Sequence, residues 1–372
     1  MLLLGPRQTG KTTLIEGYSA DLELTLLFAK IRRQYEADPD QLIREVKALN
    51  KKNGKPPLII IDEVQKVPAL MDGVQYLIDS GLGQFILTGS SARKLKTGKC
   101  VNLLPGRVIQ MRLDPLTIDE LSSSLPQIEE FLAYGSLPAI QMEKNLAFRE
   151  EELESYVDLY LEDEVRSEAL VRDIGSFENF LRRAAVESGN IINFDKISQD
   201  VGVARSTVTS YYQVLEDCLI AERIEPYTES VTRKKLIKSP IYLFFDLGLR
   251  RLAAQEASNL PQKHLGALFE QFIGLELLRW TRLQENKASL CFWKDAGGPE
   301  VDWVIKSGDA LIPIEVKWTE SPSSRDAKHL ELFLREYPQA KKAFVVCRVK
   351  KPQLLKERIE AISWKQLYEV LQ

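Results

Sequence analysis

Short, wholly apolar runs dominate the first third of the chain. MLLL at the start, LIII from residue 58 and FIL from residue 85 are each followed by polar or turn-forming residues. Runs of this kind are typical of strands that are buried on both faces of a parallel sheet. We therefore predict an α/β domain over residues 1–122, which ends in the Ser- and Pro-containing stretch LSSSLPQ at 121–127.

The middle of the chain is mainly helical in pattern. Residues 147–170 contain nine acids in a helix-compatible stretch, which usually indicates a solvated helix face, and we interpret 123–175 as a helical connector. Further on, Gly202 separates a short helical segment from a longer one. With the alternating segment LIAERIEPY after it, the pattern predicts a winged helix over 176–238. The apolar face of the longer helix consists of Val208, Tyr211, Tyr212, Leu215 and Leu219.

The last third changes to a mixture of helical and extended patterns. GALFEQFIGLELLRWTRL predicts an amphipathic helix, and LCFWK, EVDWVIK and ALIPIEVKW predict successive strands joined by DAGGP and SGD turns. A helix near 325–335 and the strand KAFVVC follow. The predicted order of elements over 239–372 is therefore α-β-β-β-α-β.

Composition excludes several classes of protein. The 372 residues are 44% hydrophobic and 28% charged, and the net charge of −3 gives no whole-molecule attraction to nucleic acid, so any such contact must be local. The four cysteines and two histidines show no zinc-type spacing. No apolar run reaches membrane-spanning length, and MLLL lacks the charged lead-in of a signal peptide. We expect a cytoplasmic protein without membrane contact.

A phosphate-binding loop follows the first predicted strand. GPRQTGKT from residue 5 fits G-x-x-x-x-G-K-[ST], in which the glycines let the backbone approach the anion, the lysine reaches the β and γ phosphates and the hydroxyl holds magnesium. The pattern predicts ATP and Mg²⁺ as ligands. The predicted nucleotide-binding residues are Gly5, Pro6, Arg7, Gln8, Thr9, Gly10, Lys11, Thr12 and Thr13.

Polar residues after the next two apolar runs complete the predicted nucleotide site. Asp62 is placed to hold the magnesium shell, and Glu63 to polarise the attacking water. Thr88, at the end of QFILTG, is a candidate sensor of the γ phosphate, although a polar turn could equally end that strand. Arg107 and Arg93 are candidates for neutralising transition-state charge, within one chain or across an oligomer. A solvated surface arginine is the alternative in both cases.

Four motifs, in order, resemble those of AAA-type ATPases of the archaeal-like group that carry a DUF4143 carboxyl-terminal region: GPRQTGKTTL, LIIIDEVQKVP, FILTGSSARKL, and LPGRV with LDPLT. The resemblance extends over nearly the whole chain through FLAYGSLPAI, KSPIYLFFDLGLRRL and GALFEQFIGLELLRW. It implies ATP binding and hydrolysis by Lys11, Thr12, Asp62 and Glu63. Similar proteins usually have a segment before the loop that helps to cover the base, whereas four residues precede it here. We expect a start site further upstream; the alternative is a loosely held base.

The predicted winged helix offers a limited surface for DNA. A basic cluster at Thr232–Lys235 and Lys238 could contact phosphate. One arginine on the second helix is little positive charge for DNA binding, and a winged helix beside an ATPase domain often serves as a lid or packing module. Both interpretations are retained. The outward side chains of the second helix, which enter the major groove in DNA-binding versions, would be Arg205, Ser206, Thr207, Thr209, Ser210 and Gln213.

The α-β-β-β-α-β region resembles the core of PD-(D/E)xK nucleases. Strand side chains alternate, so Glu315 and Lys317 share a face, and Asp302 on the adjoining strand can converge with Glu315 on a divalent ion. Lys317 would orient the attacking water or stabilise developing charge. The alternatives are a solvent-facing sheet with scattered charges, and a module that grips DNA without cleaving it. The candidate residues are Glu270, Asp302, Glu315 and Lys317, with Glu276 and Glu300 as secondary candidates.

Together the motifs predict an ATPase that couples nucleotide turnover to a carboxyl-terminal DNA-binding or nuclease-like module. The alternative comes from a different class of protein: a nucleotide-controlled interaction switch, in which the winged helix and an inactive nuclease-like core only bind partners. DNA is the macromolecular partner expected from the first hypothesis. An oligomer is compatible with either.

Overall fold

The computed structural model describes residues 1–91, 106–161, 174–229 and 236–371. The chain divides into two compact units. Unit 1 comprises Met1–Pro115 with Gln213–Ile220, and unit 2 comprises Leu116–Tyr212 with Ala221–Gln372. Unit 1 therefore includes a short segment from the region that we interpret as a winged helix. Among the described residues, no helix is both long and apolar enough to cross a membrane.

Unit 1 contains a parallel sheet of five strands, as its apolar runs predict. Leu2–Leu4 and Ile59–Ile61 are buried at every position, which explains why these runs show no alternation of polar and apolar residues. The elements of unit 1 are β1 (Leu2–Leu4), α1 (Lys11–Ile15), β2 (Leu22–Thr25), α2 (Ala29–Ala37), α3 (Gln41–Asn53), β3 (Leu58–Asp62), α4 (Leu70–Asp79), β4 (Gln84–Gly89) and β5 (Gln110–Arg112).

The strand order of this sheet brings the predicted nucleotide residues to one edge. The order is β2-β3-β4-β1-β5, and every neighbouring pair is parallel. Leu4 pairs with Gly89, and Ile61 pairs with Leu87, so β1, β3 and β4 end close together. The loop after β1, the acids after β3 and the hydroxyls after β4 therefore share the carboxyl edge, where open α/β sheets bind ligands.

The amino-terminal half of unit 2 is helical. Asn193 caps one of its helices by accepting a 3.0 Å hydrogen bond from Lys196 N, and the left-handed Gly202 ends that helix, as its place in the sequence suggests. The helices are α5 (Ile128–Tyr134), α6 (Pro138–Met142), α7 (Leu146–Ser155), which continues as the π-helical turn Tyr156–Leu161, α8 (Ile174–Val186), α9 (Phe194–Val201) and α10 (Arg205–Asp217), whose last residues belong to unit 1.

The acidic run on α7 is more than a solvated helix face. Glu150 accepts hydrogen bonds of 2.9 and 2.6 Å from the guanidinium of Arg251, which is fully buried. A buried positive charge requires a paired partner. The interpretation of this run as merely solvated is therefore wrong at Glu150, because that carboxylate neutralises an arginine of the core.

The carboxyl-terminal half of unit 2 combines strands and helices. Its elements are β6 (Ala221–Pro226), β7 (Ile241–Phe244), α11 (Leu247–Ala253), α12 (Gln262–Leu283), β8 (Ala288–Lys294), β9 (Glu300–Ser307), β10 (Ala310–Val316), α13 (Lys328–Glu336), β11 (Ala343–Cys347), β12 (Gln353–Lys356), β13 (Ile359–Ser363) and α14 (Leu367–Leu371). The strands form an eight-stranded mixed sheet of order β12-β13-β11-β10-β9-β8-β6-β7. The expected helix and strands between 262 and 347 are all present in the expected order. The pairing of Glu225 with Cys291 joins the β6–β7 hairpin to this sheet, which was not predicted.

Helix α12 packs closely on β9. A Cβ on Gly274 would lie 2.5 Å from the ring of Trp303, so the close approach of helix and strand depends on glycine at this position. The indole Nε1 of Trp303 donates a 3.1 Å hydrogen bond to the carbonyl of Glu270, one turn earlier on α12. These two contacts fix Glu270 relative to the strand that carries Asp302.

A buried carboxylate links two of the family-like motifs, FLAYGSLPAI and FFDLGLRRL. Asp246 caps α11 by accepting a 2.9 Å hydrogen bond from Gly248 N, and it also accepts one of 2.6 Å from Ser136 N. Gly135 has φ of 73°, and a Cβ there would lie 1.9 Å from the Asp246 carboxylate. These residues therefore serve the fold of unit 2, which accounts for the motifs without a catalytic role.

Candidate functional site

The phosphate-binding loop connects β1 to α1, and its glycines are required by the backbone. A Cβ on Gly5 would lie 2.3 Å from the carbonyl oxygen of Leu113, so only glycine fits. Gly10 has φ of 90°, in the left-handed region that favours glycine, and Gln8 is also left-handed with φ of 60°. Lys11 is the first residue of α1. The spacing of the motif thus matches a loop that curls around the amino end of a helix.

Lys11 is buried inside this loop. Its Nζ donates hydrogen bonds of 2.8 Å to Gly5 O and 2.7 Å to Pro6 O. The hydroxyl of Thr9 donates to the same Pro6 carbonyl at 2.9 Å. Thr12, by contrast, is exposed. The loop therefore combines an enclosed positive charge with an accessible threonine at the start of α1.

Asp62 ends β3 and is only 3% exposed. The Thr88 hydroxyl donates a hydrogen bond to its Oδ1, whereas Oδ2 is buried and has no partner among the described residues. Burial raises the pKa of Asp62, while the hydrogen bond from Thr88 opposes that rise. A buried carboxylate oxygen without a donor fits a hard cation, because Mg²⁺ prefers carboxylate and water oxygens. Asp62 and the exposed Thr12 therefore fit the expected Mg²⁺.

Glu63 is held at one of its two carboxylate oxygens. Gln65 Nε2 donates to Oε2 at 2.5 Å, and the hydroxyl of Ser90 donates to the same oxygen at 3.0 Å. Thr88 Oγ1 accepts a 3.1 Å hydrogen bond from Glu63 N. Sequence reasoning missed Gln65, because in DEVQK it is only the second residue after the acid, within the short 3₁₀ turn Val64–Lys66.

Arg107 forms an ion pair with Asp79 at the end of α4, with 2.5 Å between Nε and Oδ1. The hydrogen bond between them lowers the pKa of Asp79 and raises that of Arg107, and both groups are exposed. The guanidinium is thus engaged by a carboxylate of its own unit, and its part in neutralising transition-state charge stays a prediction. Arg93 lies outside the described residues.

In unit 2, Asp302 of β9 and Glu315 of β10 meet at Lys317. Lys317 Nζ donates to Glu315 Oε1 at 2.6 Å and lies 4.0 Å from Asp302 Oδ2. Asp302 Oδ2 also accepts a 2.7 Å hydrogen bond from Val316 N, because β9 and β10 are antiparallel neighbours. The structure therefore brings these three predicted residues together on adjacent strands, with the ammonium between the two carboxylates.

The pKa values of the carboxyl groups in this cluster are all raised above their ordinary values. Burial and then the charge of Asp302 raise the pKa of Glu270 to about 9 and that of Glu315 to about 8. Burial also raises the pKa of Asp302. Burial alone would lower the pKa of Lys317, but the charges of Asp302 and Glu315 outweigh it and raise that pKa. Burial is the common and largest cause of the raised carboxyl pKa values, and repulsion from Asp302 adds to it for Glu270 and Glu315.

The expected three-carboxylate metal site is not assembled. Among the described residues, no three Asp, Glu, His or Cys side chains are arranged to hold a metal ion, so Glu270, Asp302 and Glu315 do not form a ready ligand set. The physical reason is that the Lys317 ammonium takes the place between two of the carboxylates. Glu315 Oε2 is nevertheless buried without a partner in the described chain, so one oxygen is free to accept a cation.

The secondary acidic candidates have structural partners instead. Glu276 is fully buried, with Oε1 2.7 Å from Arg279 Nη1 and Oε2 accepting a 3.0 Å hydrogen bond from Ile118 N. Glu300 pairs with Lys294 across the β8–β9 hairpin. Both carboxylate oxygens of Glu276 are therefore engaged by structural partners, which favours Glu270 over Glu276, and the metal-binding role of either residue stays a prediction.

Family models match the chain in three consecutive segments. Residues 1–122 match the family described as AAA domain, and residues 265–367 match DUF4143, a domain of unknown function. The chain therefore carries one segment that matches an AAA domain and one that matches DUF4143. Between these segments, residues 125–260 match a second domain of unknown function, DUF8612. The resemblance inferred from the sequence motifs is confirmed at both ends of the chain.

The curated relatives that the chain resembles are described as uncharacterized proteins. The chain is 28% identical over 334 residues to an uncharacterized protein of Mycobacterium tuberculosis, covering 87% of this chain and 71% of that protein. It is 22% identical over 358 residues to an uncharacterized protein of Haemophilus influenzae, covering 88% and 85%. The alignments extend over most of this chain and over 71% and 85% of the two relatives, whose names state no function.

The solved structures similar to the chain are remote. Cdc6p from Pyrobaculum aerophilum matches with a TM-score of 0.28 and 13% identity, covering 73% of this chain and 87% of that one. The Orc1 protein of Aeropyrum pernix in complex with DNA matches with a TM-score of 0.27 and 13% identity, covering 68% and 84%. Scores this low support no inference about function.

The predicted DNA-facing positions on α10 are partly engaged by hydrogen bonds and ion pairs within the chain. Arg205 pairs with Asp195 of α9 at 3.0 Å, with both side chains exposed. The hydroxyls of Thr209 and Ser210 donate to backbone carbonyls one turn earlier, at 3.2 and 3.0 Å. The basic cluster at Thr232–Lys235 lies outside the described residues. A DNA-reading role for α10 stays a prediction.

Proposed function

We propose that this chain binds Mg-ATP and hydrolyses it. The observation that carries the proposal is the meeting of Lys11, Asp62 and Glu63 at the carboxyl edge of one parallel sheet, where Lys11 and Asp62 are close enough to interact electrostatically. A buried lysine in a glycine-containing loop, next to a buried acid pair, supplies the positive charge and the metal ligand that phosphoryl transfer requires.

Each residue has its own part in the proposed reaction. Lys11 exchanges its two carbonyl partners for the β and γ phosphates. Thr12 and Asp62 hold Mg²⁺, which neutralises phosphate charge when bound. Glu63 accepts a proton from the attacking water. Thr88 fixes the positions of the two acids relative to each other, because its hydroxyl contacts both the Asp62 side chain and the Glu63 backbone.

The second step of the proposal is that nucleotide turnover reaches unit 2 through α10. This helix begins in unit 2, and its last residues belong to unit 1. Within unit 1, the hydroxyl of Ser91 donates to Asp217 O at 3.5 Å. Ser91 lies two residues beyond β4, next to the hydroxyl that holds Glu63. Through this contact, a movement at the end of β4 on hydrolysis would be passed directly to the end of α10.

For unit 2, the finer proposal is a winged helix followed by a nuclease-like module that acts on DNA. The helices α8–α10 with the β6–β7 hairpin support the first part, and the order α12-β8-β9-β10-α13-β11 supports the second. Asp302 and Glu315 would hold a divalent cation completed by water, since Mg²⁺ often takes only one or two carboxylates. Lys317, displaced from between them, would orient the attacking water.

A nucleotide-controlled interaction switch is the second candidate function. It is favoured by the ion pair that Lys317 forms with Glu315 and by the lack of a three-ligand metal set in the described residues. In a switch, the charged cluster would only hold β9 and β10 together. The two candidates share the ATP site and differ in whether unit 2 performs chemistry.

The experiment that tests the proposed function is the rate of phosphate release from ATP by the full chain, with and without DNA. We expect magnesium-dependent turnover that DNA stimulates. Lys11→Ala should abolish ATP retention, whereas Lys51→Ala, which removes an exposed lysine of the same unit, should not. Absence of ATP retention in magnesium by the unaltered chain would refute the proposal.

A further inference from the structure

The carboxylate of Glu63 is anchored asymmetrically. Both side-chain donors in its surroundings, Gln65 Nε2 at 2.5 Å and Ser90 Oγ at 3.0 Å, bind the same oxygen, Oε2. No described residue donates to Oε1. The two donors also contact each other, with 3.0 Å between Gln65 Nε2 and Ser90 Oγ. This triangle fixes the plane of the carboxylate and leaves one oxygen for a further ligand.

The backbone reinforces this arrangement. Glu63 has φ of 59°, a left-handed conformation that is uncommon outside glycine, and its N–H is tied to Thr88 Oγ1 at 3.1 Å. Residues kept in such conformations are concentrated at functional sites. The left-handed residue re-aims the chain after β3, so that Gln65 returns towards β4 and reaches Ser90, 25 residues later.

Gln65 holds this place at a cost to its own hydrogen bonding. It is 4% exposed, and its Oε1 is buried without a partner among the described residues. A Cβ on Gly89 would lie 2.9 Å from that Oε1, so glycine at the end of β4 makes room for the amide. A buried acceptor without a donor is unfavourable, and its retention calls for an explanation beyond packing.

We propose that Gln65 and Ser90 are positioning residues for water activation by Glu63. This inference rests on the proposed ATPase function. Their two hydrogen bonds hold Oε2, so that Oε1 faces the attacking water. The water oxygen bonds to the γ phosphorus while the bond between that phosphorus and the β–γ bridging oxygen breaks. The electron pair of the broken bond leaves with ADP. Oε1 takes the water proton and passes it to the solvent, which leaves ADP and inorganic phosphate.

The test is a double-variant cycle on ATP turnover by the full chain. Gln65→Met keeps the side-chain volume but removes the donor, and we expect kcat to fall about 10- to 100-fold, the range typical when an outer-shell hydrogen-bond partner is removed. The dissociation constant for a fluorescent ATP analogue should stay within about twofold. In the Glu63→Gln background, Gln65→Met should cause no further loss, because Gln65 acts only through the glutamate.

Two further variants keep the test decisive. Gln41→Met is the matched control, because Gln41 also donates to a glutamate of unit 1, Glu45, at 2.6 Å, and its kcat should be unchanged. Ser90→Ala should lower kcat with intact ATP binding, and Ser90→Thr should restore it. If Gln65→Met misfolds, the two variants Ser90→Ala and Ser90→Thr provide the test.

The outcomes separate the two proposals. Turnover in the unaltered chain that is insensitive to Gln65→Met and Ser90→Ala overturns the positioning role alone. A further loss from Gln65→Met in the Glu63→Gln background also overturns it, because the amide would then act independently. ATP retention without any turnover in the unaltered chain overturns both the proposed hydrolysis and this inference.

Discussion

Lys317, just after β10, donates a 2.6 Å hydrogen bond to Glu315, which lies two residues earlier in the chain. The ammonium satisfies Oε1 of that glutamate and lies 4.0 Å from Asp302, while Glu315 Oε2 stays buried without a partner in the described chain. A divalent cation and the lysine would therefore compete for the same pair of carboxylates. A metal ion placed between Glu315 and Asp302 would have to displace this ammonium, so we expect binding there to need more metal than binding at an unoccupied carboxylate pair.

If unit 2 cleaves DNA, nicking of plasmid DNA should require Mg²⁺ or Mn²⁺ at a concentration high enough to displace Lys317. Asp302→Ala removes a metal ligand and Lys317→Ala removes the water-orienting group, so each should lower the nicking rate by about 100-fold or more. The nicking rate is measured on agarose gels as the conversion of supercoiled to open-circular plasmid. It is compared in the presence of ATP, in the presence of ADP and without nucleotide.

The matched control for this prediction is Asp309→Ala, in the exposed turn between β9 and β10, which should nick at the unaltered rate. Absence of nicking in every nucleotide state, with ATP turnover intact, would contradict the nuclease hypothesis and favour the interaction switch.

The raised pKa values of about 9 for Glu270 and about 8 for Glu315 predict lower stability at higher pH. Unfolded glutamates titrate near 4.3, so between about pH 5 and 9 the folded state binds more protons than the unfolded one, and stability falls as pH rises. Glu270→Gln removes one such titration. It should raise the free energy of unfolding at pH 8.5 by on the order of 1 kcal/mol, with little change at pH 5.5.

Urea unfolding of both proteins across this pH range measures the difference. Glu285→Gln, at an exposed position just after α12, is the control and should follow the unaltered protein. Parallel pH curves for Glu270→Gln and the unaltered protein would show that Glu270 is not held neutral in the folded state.

The sheet and motifs of unit 1 could be predicted because their signals are local. The run Ile59–Ile61 is buried throughout and needs no knowledge of its neighbours, and the spacing from Gly5 to Lys11 is set by the shape of one loop. These features are encoded within a few residues of one another.

The parts that sequence could not predict depend on distant contacts. The pairing of Glu225 with Cys291 joins the β6–β7 hairpin to the carboxyl-terminal sheet, but each strand alone gives only an alternating pattern. The Gln65–Ser90 contact likewise spans 25 residues. The spacing of Glu315 and Lys317 predicted that they share a face, yet not that the ammonium would take the place of a metal.

Two glycines of α12 provide a matched test of the packing between helix and sheet. A Cβ at Gly274 would lie 2.5 Å from the Trp303 ring, whereas the nearest atom to a Cβ at Gly266 is 3.9 Å away. Gly274→Ala should therefore destabilise the protein by about 2 kcal/mol or more through overpacking. Gly266→Ala should be neutral or stabilising by up to about 1 kcal/mol, because alanine favours the helix.

Thermal unfolding followed by circular dichroism compares the two variants. Because Trp303 also anchors the Glu270 carbonyl, Gly274→Ala should change the fluorescence of the buried tryptophan, and Gly266→Ala should not. Equal stabilities for the two variants would mean that α12 does not lie as close to β9 as the structure places it.

The separation of binding from hydrolysis at the acid pair is the most direct prediction for unit 1. Glu63→Gln preserves the shape of the side chain but removes the proton acceptor, so ATP should be retained while phosphate release falls about 100-fold or more. Asp62→Asn should weaken magnesium-dependent binding itself, because the buried Oδ2 is the proposed metal contact. Isothermal titration with ATP and magnesium, run beside a phosphate-release assay, distinguishes the two effects.

Glu23→Gln, on the exposed face of β2, should behave as the unaltered protein in both assays. Phosphate release at the normal rate in Glu63→Gln would remove Glu63 from the role of general base and assign the water to another group at the same edge of the sheet.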